Sequence, residues 1–119
     1  MYEFDTDLKG EDKDNANKVR LPCYLNISAC KIKQKLWKEA IENANKALDI
    51  DGNNTKALFR RGLAYLELDE WSKSYKDFTK ALEFDQNNAE LKREYARLKQ
   101  KMKVQDNKDK QMFAKMFSL

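Results

Sequence analysis

Apolar residues recur along this chain with the spacing of amphipathic helices. Four such patterns follow one another, over residues 22–35, 38–51, 55–69 and 72–85. A short break before Trp37 separates the first two patterns, and one before Trp71 separates the last two. We therefore predict an all-α fold that begins with two helical hairpins.

The two hairpins are copies of one repeat. When residues 21–54 are placed over residues 55–88, seven positions are identical at a constant offset of 34. The identical pairs are Trp37/Trp71, Lys46/Lys80, Ala47/Ala81, Leu48/Leu82, Asp51/Asp85, Asn53/Asn87 and Asn54/Asn88. Small residues also recur, at Ser28/Gly62 and Ala40/Ser74. The shared sizes predict that paired helices approach closely at the small residues.

The segments outside the repeats differ from each other. Four apolar residues continue the helical spacing beyond Asn88: Leu91, Tyr95, Leu98 and Met102. They predict a long capping helix with a basic tail over residues 89–119, which covers the open end of the solenoid. Residues 1–20 are mostly polar and predict a lead-in of weak order, so we expect the first helix to begin at Pro22, where a missing N–H costs nothing.

Composition narrows the classes of function. The chain has 24 basic and 20 acidic residues, and its net charge of +4 suits an anionic partner. It contains no His and only two Cys, so neither a structural zinc site nor a His-based triad can be assembled, and we predict no cofactor and no catalytic residue.

Cys23 and Cys30 lie too far apart along one helix to bridge, and we expect two small buried thiols in a reducing cytosol. No signal peptide or membrane span is evident, which indicates a soluble, cytoplasmic protein.

One set of polar residues predicts a binding site. Asn26 and Arg60 are 34 residues apart and therefore project in the same direction from neighbouring hairpins. Lys56 lies one turn before Arg60, and Lys33 extends the row that begins at Asn26. Such a stripe on the inner groove can bind a pair of carboxylates, as in the acidic C-terminus of a peptide. The alternative is that these are ordinary solvated side chains.

A family resemblance favours a binding site over ordinary solvated side chains. A period of 34 with small residues at positions eight and twenty of the repeat is the tetratricopeptide repeat (TPR) pattern. Three runs resemble TPR-bearing immunophilins, with the large, forty-kilodalton cyclophilin first and the FKBP-type immunophilins second: residues 25–33, 54–61 and 113–117. The resemblance covers about residue 20 to the end. It implies a co-chaperone module that binds the Met-Glu-Glu-Val-Asp tail of Hsp90, or that of Hsp70, through a carboxylate clamp at Asn26, Lys56 and Arg60, assisted by Lys33.

Further expectations follow from the same resemblance. It implies that the parent protein is a peptidyl-prolyl isomerase whose catalytic domain lies upstream and whose TPR segment is regulatory; a purely structural scaffold is a third alternative. The Lys-rich tail from Lys99 to Leu119 is compatible with a calmodulin-binding helix. No earlier repeat is evident in residues 1–20, so we expect the face bearing Tyr24, Ile27 and Lys31 to remain open. A self-paired or swapped homodimer, or the lead-in around Tyr2 and Phe4, would cover it.

Overall fold

A computed structural model describes the backbone of residues 10–117 and the side chains of residue 10 and residues 12–111. Five helices follow one another along this part of the chain: α1 (Glu11–Lys33), α2 (Trp37–Ile50), α3 (Thr55–Glu67), α4 (Trp71–Phe84) and α5 (Ala89–Phe117). The predicted all-α class is confirmed, as is the start of the second helix of each hairpin at Trp37 and Trp71.

The helices stack as a solenoid of hairpins. α1 packs on α2 in the first hairpin, and α3 packs on α4 in the second. The two hairpins meet where α2 packs on α3. α5 packs on α4 and touches α3, so it covers the end of the second hairpin as the capping helix was predicted to do. The first helices of successive units, α1, α3 and α5, therefore lie side by side.

Each hairpin is closed by one serine hydroxyl. Ser28 Oγ on α1 donates to the Ala40 carbonyl on α2 at 3.0 Å. Ser74 Oγ on α4 donates to the Gly62 carbonyl on α3 at 2.7 Å. The hydroxyl comes from the first helix in one hairpin and from the second helix in the other, at equivalent repeat positions. The predicted close approach at the small residues is confirmed.

Two asparagines start the helices that follow each hairpin. Asn54 Oδ1 accepts from the Ala57 N–H, and Asn88 Oδ1 accepts from the Leu91 N–H, both at 3.0 Å. Each bond satisfies one of the N–H groups that a helix leaves free at its first turn. In each Asn-Asn pair, the second Asn is therefore the residue that caps the next helix.

The core lies between the second hairpin and α5. Phe78 is fully buried, and its ring stacks on Phe59 with centroids 6.0 Å apart. All four apolar residues predicted for the inner face of α5 pack in this cluster: Leu91 and Leu98 are buried, and Tyr95 and Met102 are partly buried. Residues 103–111 are exposed, so α5 extends beyond the core. None of the described helices is long and apolar enough to cross a membrane.

The first helix differs from its prediction. It begins at Glu11, so residues 11–20 belong to α1 and Pro22 lies in the interior of the helix, not in its first turn. Residues 12–20 contain no Gly or Pro, so nothing local stops the helix before Gly10, whose φ of 57° ends it. Pro22 removes one backbone hydrogen bond without ending the helix. Tyr2 and Phe4 lie outside the described residues.

The outward face of α1 also differs from expectation. Cys23 and Cys30 are exposed, so the prediction of buried thiols is wrong. Tyr24 and Lys31 are directed towards α2, because Lys46 Nζ lies 5.6 Å from the Tyr24 ring and Lys31 Nζ lies 3.2 Å from Glu39 Oε2. The exposed residues of α1 recur instead at Val19, Cys23, Asn26, Cys30 and Lys33. These residues are exposed because α2 and α3 pack against the other faces of α1.

Candidate functional site

A groove of about 520 Å³ runs along the side-by-side first helices. Its apolar wall contains Ala29, Ile32, Phe59, Leu63 and Leu91. Three cations line the same groove: Lys33 at the end of α1, and Lys56 and Arg60 on α3. An apolar groove with a few charged groups at its edge is the usual form of a site that binds an extended peptide or a small ligand.

Lys56 and Arg60 are held by the capped start of α3. The Asn54 cap fixes the first turn, and Lys56 and Arg60 lie one helical turn apart on the same face. The Lys56 side chain is exposed, whereas that of Arg60 is partly buried. One turn of helix brings two cations within reach of a single dicarboxylate group.

Arg60 is positioned by the neighbouring hairpin. Its Nη1 donates to the Leu25 carbonyl on α1 at 2.6 Å, so the guanidinium is fixed between α1 and α3. Arg has five N–H donors, and those not used by Leu25 remain for a ligand. Burial lowers the pKa of Arg60, while Glu90 and Cys30 act in the opposite direction. The guanidinium stays charged but is partly desolvated, so a bound carboxylate would stabilise it.

The other two predicted site residues lie on α1. Lys33 lines the groove from the last turn of α1. Asn26 is exposed in the same row of α1 as Lys33, and it is not part of the groove wall. The structure thus brings Lys33, Lys56 and Arg60 together around one cavity and leaves Asn26 beside it.

Two acidic residues that the sequence pattern did not predict also line the groove, Asp85 and Glu90. Asp85 Oδ2 accepts from Asn88 Nδ2 at 2.9 Å, which ties this carboxylate to the turn before α5. Glu90 lies in the first turn of α5 and is exposed. The repeat period could have identified Glu90, because it lies 34 residues after Lys56 and so occupies the same repeat position.

Arg61 has a structural role away from the groove. Its Nε and Nη2 donate to the two carboxylate oxygens of Asp77 at 2.8 and 2.7 Å, and its Nη1 donates to Asn45 Oδ1 at 2.9 Å. These bonds link α3 to α4 and α2. The hydrogen bonds with Asp77 raise the pKa of Arg61, against the effect of burial.

Comparison with known proteins identifies the repeat. Residues 55–88 match the tetratricopeptide repeat family model. The chain is 36% identical over 115 residues to the peptidyl-prolyl cis-trans isomerase FKBP4 of Bos taurus; the match covers 97% of this chain and 25% of that protein. The C-terminal TPR-containing domain of an FK506-binding protein of Plasmodium falciparum superposes with a TM-score of 0.82 at 27% identity, covering 86% of this chain and 68% of that one.

A further solved structure is similar and contains a ligand. The first TPR of Spaghetti (RPAP3), bound to the Hsp90 peptide Ser-Arg-Met-Glu-Glu-Val-Asp, superposes with a TM-score of 0.68 at 26% identity, covering 74% of this chain and 72% of that one. The relatives that bear on the immunophilin likeness are FKBP-type. The cyclophilin resemblance, the first of the two expectations, is therefore not supported. The FKBP-type resemblance, the second, is supported.

Proposed function

We propose that this TPR helical solenoid is a protein-interaction module that binds the acidic C-terminal tail of an Hsp90-type chaperone, or that of Hsp70, in the groove between α1, α3 and α5. The observation that carries the proposal is the position of Lys33, Lys56 and Arg60 around one apolar cavity. The similar Spaghetti (RPAP3) domain, solved with an Hsp90 peptide, supports the same class of ligand.

The ligand is held by two kinds of contact. Lys56 and Arg60 bind the terminal carboxylate and the side chain of the last Asp, Arg60 through the N–H groups that Leu25 leaves free. Lys33 adds a positive charge, and the Asn26 amide donates from the edge of the groove. Ile32 and Phe59 form the apolar surface for the aliphatic side chain that precedes the last Asp.

The terminal carboxylate provides the direct test. Calorimetry should compare Ser-Arg-Met-Glu-Glu-Val-Asp with a free C-terminus against the same peptide amidated. Losing one charge-assisted contact costs about 1.5 to 3 kcal/mol, so we expect amidation to weaken binding by about tenfold or more. Equal binding of the two peptides would exclude a carboxylate clamp. If neither peptide bound, the module would be a purely structural scaffold, as in the third alternative.

Lys56→Ala should weaken binding of the free peptide by about tenfold without lowering the melting temperature. Lys56 is exposed at the groove, so its removal takes away a charge and leaves the core intact. Titration of the peptide and a thermal melt measure the two effects. Arg60→Ala is a less clean test, because it also removes the bond to the Leu25 carbonyl.

Lys80→Ala is the matched control for that variant. Lys80 is an exposed lysine on α4, the second helix of its hairpin, and lies outside the groove wall. It alters the net charge as much as Lys56→Ala does, so any difference between the two variants reports position and not total charge. Equal weakening by both variants would refute the assignment of Lys56.

The likeness to FKBP4 supports a second proposal, that the module is the regulatory segment of an FKBP-type prolyl isomerase. The match covers 97% of this chain and only 25% of the relative. According to this proposal, binding of the chaperone tail in the groove brings a separate catalytic domain of the same protein close to the chaperone. The 119-residue chain alone should leave the rate of prolyl isomerisation in a test peptide unchanged, and an accelerated rate would contradict this division of labour.

Two partner expectations stay predictions. The exposed, Lys-rich stretch of α5 over residues 103–111 supports calmodulin binding, although the side chains of Met112 to Phe117 lie outside the described residues. The exposed residues Val19 and Cys23 on α1, which lie outside the groove wall, support pairing with a second copy. Titration with calcium-loaded calmodulin tests the first, and light scattering over a concentration series tests the second.

A further inference from the structure

The three first helices carry different charges at equivalent positions. The second position of the repeat holds Pro22 on α1, Lys56 on α3 and Glu90 on α5, each 34 residues after the previous one. The groove is therefore basic in its middle and acidic at its α5 side. A ligand that lies across these helices meets a charge of each sign along its length.

Glu90 is the exposed acidic side chain on this side of the groove, whereas Asp85 and Glu94 are partly buried. Asp85 accepts a hydrogen bond from Asn88, and Glu94, one turn after Glu90, accepts from Arg97 Nε at 2.8 Å. Glu90 lines the groove together with Lys56 and Arg60, and its side chain is exposed. Its charge acts on Arg60, whose pKa it helps to raise against the larger effect of burial.

We propose that Glu90 fixes the direction of the bound tail, by pairing with a basic residue upstream of the acidic segment and repelling a carboxylate there. This inference rests on the proposed function. The carboxylate end then lies towards α1 and α3, where Lys33, Lys56 and Arg60 are found, and the upstream end crosses α5. The reverse direction would bring the terminal carboxylates against Glu90.

The dimensions of the ligand agree with this direction. In Ser-Arg-Met-Glu-Glu-Val-Asp the Arg precedes the last Asp by five residues, and an extended chain of that length spans about 16 Å. Packed helices lie about 8 to 10 Å apart, so α1 and α5 are separated by roughly twice that distance across α3. A tail whose last Asp lies between α1 and α3 thus brings its Arg to α5.

A plain structural role for Glu90 makes a different prediction. An acidic residue in the first turn of a helix is favoured by the helix dipole, whether or not a ligand is present. In that case Glu90→Gln would alter stability slightly and would change the binding of all peptides by the same factor. Only a direct effect on the ligand makes the change depend on the charge of the peptide residue.

The test is a cycle of two peptides and two proteins. The heptapeptide and a variant with its Arg replaced by Glu, both with free C-termini, are titrated at low salt into the parent protein and into Glu90→Gln. The parent should prefer the Arg peptide by about threefold to tenfold, and Glu90→Gln should reduce that preference to below about twofold. Higher ionic strength should reduce the preference of the parent as well.

Glu83→Gln is the control, because Glu83 is exposed on α4 and lies outside the groove wall. It should keep the full preference of the parent. The proposal is overturned if the parent does not discriminate between the peptides, or if Glu90→Gln discriminates as strongly as the parent does. Failure of the proposed function is recognised separately, since the free and amidated heptapeptides would then bind equally or not at all.

Discussion

Replacing Asp77 with alanine should lower the free energy of unfolding by about 2 to 4 kcal/mol. The carboxylate is 5% exposed and accepts two hydrogen bonds from Arg61, whose side chain is 26% exposed. Removing one partner of a buried ion pair costs about 3 to 5 kcal/mol because the other charge stays desolvated, and the partial exposure of Arg61 reduces that cost. Urea denaturation followed by circular dichroism measures the loss.

The first hairpin supplies the control for this variant. It holds Ile27 and Asn43 at the positions that Arg61 and Asp77 occupy in the second hairpin. The double variant Arg61→Ile, Asp77→Asn removes both charges together, so we expect its stability to stay within about 1 kcal/mol of the parent. A double variant as unstable as Asp77→Ala would show that the loss does not come from an unpaired guanidinium.

Gly62→Leu should destabilise the domain by about 3 kcal/mol. A Cβ at residue 62 would lie 2.7 Å from two ring carbons of Phe78 and 3.3 Å from Asp77 Cβ. Phe78 is fully buried, so its ring cannot move aside, and inserting side-chain atoms into a packed core costs about 1 to 3 kcal/mol or more. The expected fall in melting temperature is about 10 °C.

Gly52→Ala is the matched control for the glycine. A Cβ there would meet only the Leu48 carbonyl, at 3.8 Å, which is an ordinary contact. Its effect on the free energy of unfolding should stay within about 0.5 kcal/mol. If Gly62→Leu melted within a degree of the parent, the close approach of α3 and α4 at this residue would not be required for folding.

Much of the fold could be predicted from the sequence because a repeat supplies its own comparison. The offset of 34 located both hairpins, and the matching sizes at Ser28 and Gly62 located positions where the paired helices are in contact. The start of α1 could not be obtained in this way. The local rule places Pro at the first turn of a helix, whereas here α1 tolerates one missing hydrogen bond at Pro22 and continues back to Glu11.

The candidate groove was predictable in part from helical spacing. Lys56 and Arg60 lie one turn apart on α3, which explains why both line one cavity. Glu90 was missed because the identical pairs end at Asn88, although the repeat geometry continues into α5. The bond between Arg61 and Asp77 joins residues 16 apart on two helices, and a periodic pattern contains no information on such a pair.

The serine bonds that close the hairpins leave room for divergence after duplication. Ser28 donates from one side of its hairpin and Ser74 from the opposite side of the other, each to a carbonyl that needs no second donor. A repeat could therefore carry a serine at the Ser28/Gly62 position, at the Ala40/Ser74 position, at both or at neither. In none of these cases would a buried carbonyl be left unsatisfied. A hydroxyl on either helix therefore closes the same kind of hairpin.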